Sequence, residues 1–234
     1  MGRFFDIDGP FMGGLTKMAD IFILNLLLVL CSIPVITFGP AYTAMYYVTL
    51  KMVKDEDCYT VKSFFKSFKQ NFKQGTIIWI IMLVIGIVLY YDTKIMSGDF
   101  SEIVNVSGGA PKVMSVLIMA ALIFYLFTFS YVFPVLARFD NSVKYTLRNA
   151  LLMSIKHLPS TIAIVLINVI PLVIMYLVPK AIIFIFFVFG LCAYCNSFFF
   201  VKIFKNYMPE ETIVSDEEFE VSVENNIKDE NTNE

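Results

Sequence analysis

Four cysteines and one histidine are the side chains in this 234-residue chain best suited to metal or thiol chemistry. Cys192 and Cys195 have the spacing of a redox pair, but they lie inside an apolar stretch, where nothing stabilises a thiolate. Cys31, Cys58 and the single histidine, His157, do not complete a set of four zinc ligands at the usual spacing. We therefore expect no metal site in this chain.

Motifs for phosphate binding, dinucleotide binding or an activated nucleophile do not occur in the sequence. Paired carboxylates suited to acid and base catalysis are likewise missing from the apolar stretches. The sequence therefore predicts a protein that is not an enzyme, with no catalytic residue and no cofactor.

Residues 61–73 combine basic and aromatic side chains at helical spacing. At about 100° per residue, the phenylalanines lie on one face and the lysines form a row beside them. Such a helix lies naturally among lipid headgroups, where anionic lipid attracts each lysine by about 1 kcal/mol, and this geometry suits nucleic acid less well. Because positive-inside loops need no other purpose, topological anchoring is the favoured interpretation, and contact with lipid or a cytoplasmic partner is the functional alternative. The candidate contact residues are Lys62, Phe65, Lys66, Phe68, Lys69, Phe72 and Lys73.

Polar and helix-breaking residues in the first apolar stretch form a second candidate site. Asn25 is a strong hydrogen-bonding group, while Pro34 and the pair Gly39-Pro40 interrupt the helix on either side of Thr37. In transporters such breaks can line a substrate path. More commonly they are tolerated kinks, because neighbouring groups satisfy the freed backbone.

Asn168 and Asn196 are the other strong polar groups within apolar stretches, which contain no charged side chain. A proton-coupled pump or a voltage sensor needs ionisable groups at such positions, so the sequence argues against both. We expect these asparagines to join helices by hydrogen bonds rather than to bind a ligand.

The elements that must position these residues are long apolar helices. Hydrophobic residues make up 58% of the chain and charged residues 16%, against about 25% charge in a soluble domain. Five uncharged stretches have the 17–25 residues needed to cross a bilayer; they are residues 21–38, 75–91, 113–137, 158–179 and 181–201. This pattern predicts an all-α, polytopic transmembrane bundle of six segments if residues 40–54 also cross, or of five if they do not.

Basic loops give the expected orientation in the cell membrane, because lysine and arginine resist translocation. The lysine-rich loop at 51–73 and the basic residues of 138–157 are expected inside, and residues 92–112 outside. An amphipathic helix over 142–158 is the second basic helix expected in the cytoplasm. The C-terminus then lies inside, and the N-terminus lies inside with six segments or outside with five.

The expected domains are a membrane-embedded part, residues 1–205, and an acidic tail, residues 206–234. The tail contains ten acidic residues and one lysine, with few apolar residues. Such a composition is typical of a disordered, solvated segment, which the orientation above places in the cytoplasm.

Several local patterns between residues 1 and 205 resemble the YesL-like family of bacterial membrane proteins, a family classed as a domain of unknown function. They are Asp20 with Leu24-Asn25-Leu26, Ile33-Pro34-Val35-Ile36-Thr37-Phe38-Gly39-Pro40-Ala41, Ala44-Met45-Tyr46-Tyr47, Phe64-Phe65-Lys66-Ser67-Phe68-Lys69-Gln70-Asn71-Phe72-Lys73-Gln74, Phe139-Asp140-Asn141-Ser142 and Asn149-Ala150-Leu151.

The resemblance implies that the protein is encoded beside carbohydrate ABC transporters and their regulators in a Gram-positive bacterium. It assigns no catalytic residue to this chain. It favours an accessory or regulatory component of carbohydrate uptake, whose partners are the lipid bilayer and an ABC transporter permease or other membrane protein. The alternative is a small transporter or channel for an unidentified solute.

Overall fold

A computed structural model describes residues 10–56, 59–96, 110–177 and 185–207, and all regular structure among them is helical. The helices are α1 (Pro10–Cys31), α2 (Phe38–Val53), α3 (Thr60–Gln70), α4 (Phe72–Met96), α5 (Ala110–Arg138), α6 (Val143–Lys156), α7 (Leu158–Leu177) and α8 (Ile185–Lys205). A short 3-10 turn, Val35–Thr37, joins α1 to α2. The predicted all-α class is confirmed.

Among the described residues, four helices are long and apolar enough to cross a membrane, at Gly13–Cys31, Phe72–Ile95, Val113–Arg138 and Phe187–Lys205. The pair α6 and α7 adds a fifth span if counted together, although the two helices are bent by 105°. Large apolar side chains on these helices face outward, as on α4 and α5, where Val84, Val88 and Val116 are 53%, 53% and 68% exposed. Soluble proteins seldom expose contiguous apolar surface of this kind, whereas lipid-facing helices require it.

The α1–α2 hairpin reverses the chain at residues 32–37. Lys17 Nζ, near the start of α1, lies 2.6 Å from Asp55 Oδ1, just after α2, so the two helices run antiparallel. Asp20 Oδ1 also accepts a 2.8 Å hydrogen bond from Thr60 at the start of α3. If α1 crosses the membrane, α2 therefore returns toward the side where α1 began.

The count of six membrane segments is not confirmed, because α2 is short. Its sixteen residues span about 24 Å, less than the ~30 Å hydrocarbon layer. Twelve of those sixteen residues are buried, so α2 is the central helix of the described bundle rather than a lipid-facing one. It packs against α1, α3, α4 and α5.

Helix α2 meets α4 at a pair of glycines. A methyl group built on Gly39 would lie 2.3 Å from the Gly75 carbonyl oxygen and 2.7 Å from Trp79 Cβ. A methyl group on Gly75 would lie 2.9 Å from the backbone nitrogen of Pro40. Only residues without a side chain allow the two backbones to approach this closely, as in other small-residue contacts between apolar helices.

The corner between α6 and α7 is held by one threonine. Thr161 Oγ1 lies 2.7 Å from the Ser154 carbonyl oxygen and 3.0 Å from that of His157. It also lies 2.8 Å from the hydroxyl of Tyr131 on α5. The His157 carbonyl oxygen also accepts the backbone N–H of Thr161 at 2.9 Å. Thr161 thus links the end of α6 to the first turn of α7 and ties the corner to α5.

The chain divides into two units, Met1–Lys202 and Ile203–Glu234. Helices α1 to α7 and the part of α8 up to Lys202 belong to the first unit. In the second unit, residues 203–205 are helical and residues 206–207 form a turn. From residue 208 onward the predicted acidic tail lies outside the described residues. Cys58, residues 97–109 of the predicted outer loop and the predicted turn at Pro179 also lie outside them.

Candidate functional site

The inner face of α3 packs against the bundle. Thr60, Phe64 and Ser67 are buried on this face. Asn71, one turn beyond Ser67, donates from Nδ2 to the Ser67 carbonyl oxygen at 3.1 Å and bridges the break between α3 and α4. Thr60 donates to Asp20 of α1, and α3 packs against both α1 and α2.

A second face of α3 is aromatic and partly exposed. Val61, Phe65 and Phe72 are 46%, 40% and 43% exposed, and Phe68 is half-buried between the rings of Phe64 and Phe72. The sequence groups Phe64 with these residues, but the structure turns Phe64 inward, about 70° from the centre of the aromatic face. We call Val61, Phe65 and Phe68 of α3, together with Phe72 at the start of α4, the aromatic flank of α3.

The third face is the lysine row, formed by Lys62, Lys66 and Lys69 on α3 and by Lys73 in the first turn of α4. All four side chains are exposed. Within the part of the chain that the structure describes, no acidic side chain forms an ion pair with them; the ion pairs there involve Lys17, Lys51 and Lys54. The seven predicted contact residues therefore lie on two neighbouring faces at the junction of α3 and α4, where six of them are exposed and Phe68 is half-buried.

Thr37 and Pro34 build the turn of the α1–α2 hairpin. Pro34 has an extended backbone, and Thr37 Oγ1 lies within hydrogen-bond distance of the carbonyl oxygens of Pro34 and Cys31. From α4, Trp79 Nε1 donates to the Val35 carbonyl oxygen at 2.8 Å. The Thr37 hydroxyl and the Val35 carbonyl oxygen are thus engaged within the turn, whereas the buried Ser32 hydroxyl has no hydrogen-bond partner among the described residues. Gly39 and Pro40 contact α4.

Asn25 joins α1 to α8. Its Oδ1 accepts a hydrogen bond of 2.9 Å from the backbone N–H of Gly190. A methyl group on Gly190 would lie 2.8 Å from the Ile21 carbonyl oxygen, so the two helices are in close contact here. Asn25 is completely buried, remote in sequence from its partner, and serves helix packing in the described structure.

A polar seam links α2, α7 and α8, and we define it as Tyr46, Thr49, Asn168, Asn196 and Ser197. Asn196 Nδ2 lies 3.0 Å from Asn168 Oδ1 and 3.3 Å from the Tyr46 hydroxyl. The Ser197 hydroxyl lies 2.8 Å from that of Thr49. Asn168 in turn donates to the Ile164 carbonyl oxygen at 2.9 Å, which fixes the orientation of its amide.

The polar seam contains only neutral groups. Four of its five side chains are buried, and Asn196 Oδ1 has no hydrogen-bond donor among the described residues. Without an acid, a base or an activated nucleophile, such a cluster holds helices together but offers no acid–base chemistry. Sequence reasoning singled out the two asparagines and missed their partners, whose small or aromatic side chains are unremarkable in an apolar helix.

The three cysteines in the described part of the chain do not form a cluster with metal-binding groups. Cys192 donates weakly to the Ile167 carbonyl oxygen at 3.4 Å, and Cys31, Cys192 and Cys195 are free thiols. Across residues 10–56, 59–96, 110–177 and 185–207, no three of His, Cys, Asp and Glu side chains are placed to hold a metal ion.

Helix α6 has an exposed face of mixed character that the sequence analysis did not describe. Thr146, Ala150, Met153 and Ser154 are buried, and α6 packs mainly on α5. On the opposite side Tyr145, Leu152 and Ile155 are 56%, 52% and 42% exposed, beside the exposed cations Lys144 and Arg148. We call these five residues the α6 face.

Comparison with known proteins gives one match. Residues 21–93 match the model of a family described as a protein of unknown function, DUF624. No curated protein and no solved structure matches the chain. The matched segment runs from α1 to α4 and contains the hairpin turn, the Gly39–Gly75 contact and all of α3, so this chain is similar to that family over its N-terminal third.

Proposed function

We propose that this protein is a non-enzymatic accessory or regulatory component of carbohydrate uptake, which contacts an ABC transporter permease or another membrane protein. The YesL-like resemblance supports the link to carbohydrate uptake and the origin from a Gram-positive bacterium. The neutral, internally bonded polar groups of the described helices support a role without chemistry of its own.

The observation that carries the partner contact is the exposed α6 face. Tyrosine and arginine are enriched at the centres of protein interfaces, and leucine and isoleucine beside them supply apolar contact area. Tyr145, Arg148 and Leu152 lie within two turns of each other on one side of a helix that is anchored to α5 by its other side. Such a face presents a rigid contact surface to a partner.

The proposed orientation places this face in the cytoplasm. Basic residues of 138–157 favour the inside, and the antiparallel α1–α2 hairpin supports an N-terminus on the same side as the lysine row. In this arrangement α2 is the sixth, buried segment of the bundle, and the protein lies in the cell membrane with both termini inside.

Reconstitution and co-purification test the proposal together. Purified full-length protein in liposomes is expected to show no flux of sugars or small ions, while protein isolated from native membranes in mild detergent retains permease subunits. The double variant Tyr145→Ala, Leu152→Ala is expected to retain at least about tenfold less permease than the parent, because two side chains that contact the partner are removed. The variant Lys202→Ala, at an exposed position on α8, is the matched control.

Solute flux by the purified protein alone would contradict the accessory role and support the transporter alternative. Permease recovery unchanged by the α6 double variant would contradict the contact assigned to this face.

A further inference from the structure

We infer that the aromatic flank and lysine row of α3 form a binding surface for anionic lipid headgroups. The aromatic flank would enter the boundary of the hydrocarbon, and the lysine row would contact the phosphates. This surface involves only the protein and lipid, so its test does not depend on a transporter partner.

The angular arrangement of the three faces carries the argument. Around the helix axis the buried face is centred near Phe64 and Ser67, the aromatic flank lies about 100° from it, and the lysine row follows after about another 100°. One side of α3 is thus fixed to the bundle, while two adjacent sides, one apolar and one cationic, remain exposed. At the boundary between hydrocarbon and headgroups, the apolar face can lie toward the hydrocarbon while the neighbouring cationic face lies toward the headgroups.

The composition of the exposed faces favours lipid over a protein partner. They contain valine, phenylalanine and lysine, and lack the tyrosine, arginine and amide groups that give protein interfaces their specific hydrogen bonds. Lysine is depleted at protein interfaces, whereas rows of lysine beside aromatic side chains are typical of helices on anionic membranes. The α6 face, with Tyr145 and Arg148, has the contrasting composition.

The positive charge of the lysine row also favours binding to an anionic surface. Lys62 and Lys66, and likewise Lys69 and Lys73, are four residues apart, a spacing at which like charges repel along a helix. No acidic residue occurs between residues 59 and 91. Phosphates of anionic lipid would neutralise this repulsion, since a negative surface attracts each nearby lysine.

The position of α3 in the chain places it at the membrane boundary. Only Asn71 separates α3 from α4, whose residues Phe72–Ile95 form one of the candidate spans. Lys73 and Phe72 lie in the first turn of that span, where lysine side chains can reach the headgroups and the ring remains in the apolar layer. The lysine row and aromatic flank therefore begin where the bilayer surface should be.

Tryptophan quenching tests the placement of the aromatic flank. Phe65→Trp is introduced into the full chain, and the parent, whose single tryptophan is Trp79, supplies the background signal. In liposomes of phosphatidylcholine and phosphatidylglycerol, the new tryptophan is expected to be quenched by brominated lipid and shielded from acrylamide. Gln70→Trp, exposed on α3 about 140° away, is the matched control and should show the reverse.

Lipid binding by charge variants tests the lysine row. Phosphatidylglycerol bound to the purified protein is measured by native mass spectrometry, with phosphatidylcholine as the uncharged reference. Each Lys→Gln change is expected to weaken phosphatidylglycerol binding about fivefold, and changing Lys62, Lys66, Lys69 and Lys73 together at least about a hundredfold. The corresponding Lys→Arg variant keeps the charge and should bind within about threefold of the parent.

Two results would overturn the inference. One is phosphatidylglycerol binding by the quadruple Lys→Gln variant equal to that of the parent. The other is acrylamide quenching at Phe65→Trp as strong as at Gln70→Trp. That result would place the aromatic flank in water, where it would be available to a soluble protein rather than to lipid. The variant Lys202→Gln removes an exposed cation from α8 and is expected to leave phosphatidylglycerol binding within about twofold of the parent.

Discussion

Replacing Gly39 with alanine is expected to lower the free energy of unfolding by about 3 kcal/mol, or to prevent folding altogether. The added methyl group would lie 2.3 Å from the carbonyl oxygen of Gly75, so the atom that must move belongs to the backbone of α4. Moving it would separate α2 from α4 and disturb Trp79, which packs against Phe38 at 4.6 Å between ring centroids. Unfolding in mild detergent, followed by helical circular dichroism, measures the change.

Gly14→Ala is the matched control for this prediction. Gly14 lies in α1, and a methyl group built on it would contact nothing within 4 Å. Because alanine favours a helix over glycine by about 1 kcal/mol, this variant should be as stable as the parent or slightly more stable. Equal stability of the Gly39→Ala and Gly14→Ala variants would show that α2 and α4 are not in close contact.

Replacing Asn196 with leucine is expected to cost about 2 kcal/mol of stability. Leucine has a similar size but gives no N–H, so Asn168 Oδ1 loses its donor at 3.0 Å and the Tyr46 hydroxyl loses a contact at 3.3 Å. The polar seam would then contain unsatisfied groups in a buried position. Denaturant unfolding of the purified protein in detergent provides the measurement.

A double-mutant cycle with Asn168→Leu isolates the contact between the two asparagines. Asn168 is only half-buried, so its single variant should be less damaging than that of Asn196. The double variant contains neither amide, so no amide is left without its partner. We therefore expect its loss of stability to be about 1 kcal/mol smaller than the sum of the losses of the two single variants. Strict additivity would mean that α7 and α8 are not joined through these side chains.

The apolar runs predicted the helices well because run length and missing charge are local properties of the sequence. The ends of the first helix were less predictable. The uncharged run begins at Ile21, yet α1 extends from Pro10 to Cys31, because Lys17 and Asp20 have partners at the end of α2 and the start of α3. Its C-terminus comes before Pro34, whose ring excludes a continuing helix.

The packing of α3 shows what periodicity leaves open. Phe64 and Phe68 are one turn apart and belong equally well to one face by sequence. Phe64 lies inward, on the same buried face as Thr60 and Ser67, while Phe68 stays half-buried on the aromatic flank. Which of two overlapping faces becomes the buried one depends on the surface of α2, and that surface is distant in sequence.

The polar seam and the glycine contact were beyond sequence reasoning for a related reason. Ser197 meets Thr49 across almost 150 residues, and Gly39 meets Gly75 on another helix. Nothing in the local pattern of either partner indicates the other. By contrast, exposure of the lysine row was predictable, since unpaired lysines have no stable place inside an apolar bundle.

Membrane fractionation tests the central claim, that the long apolar helices of this chain lie in lipid. After expression of the full chain, membranes are washed in alkaline carbonate and sedimented by ultracentrifugation, and the pellet is then treated with detergent. The protein is expected to remain in the washed pellet and to dissolve only in detergent, because its outward-facing helix surfaces are apolar. A folded monomer in the detergent-free supernatant would contradict the account.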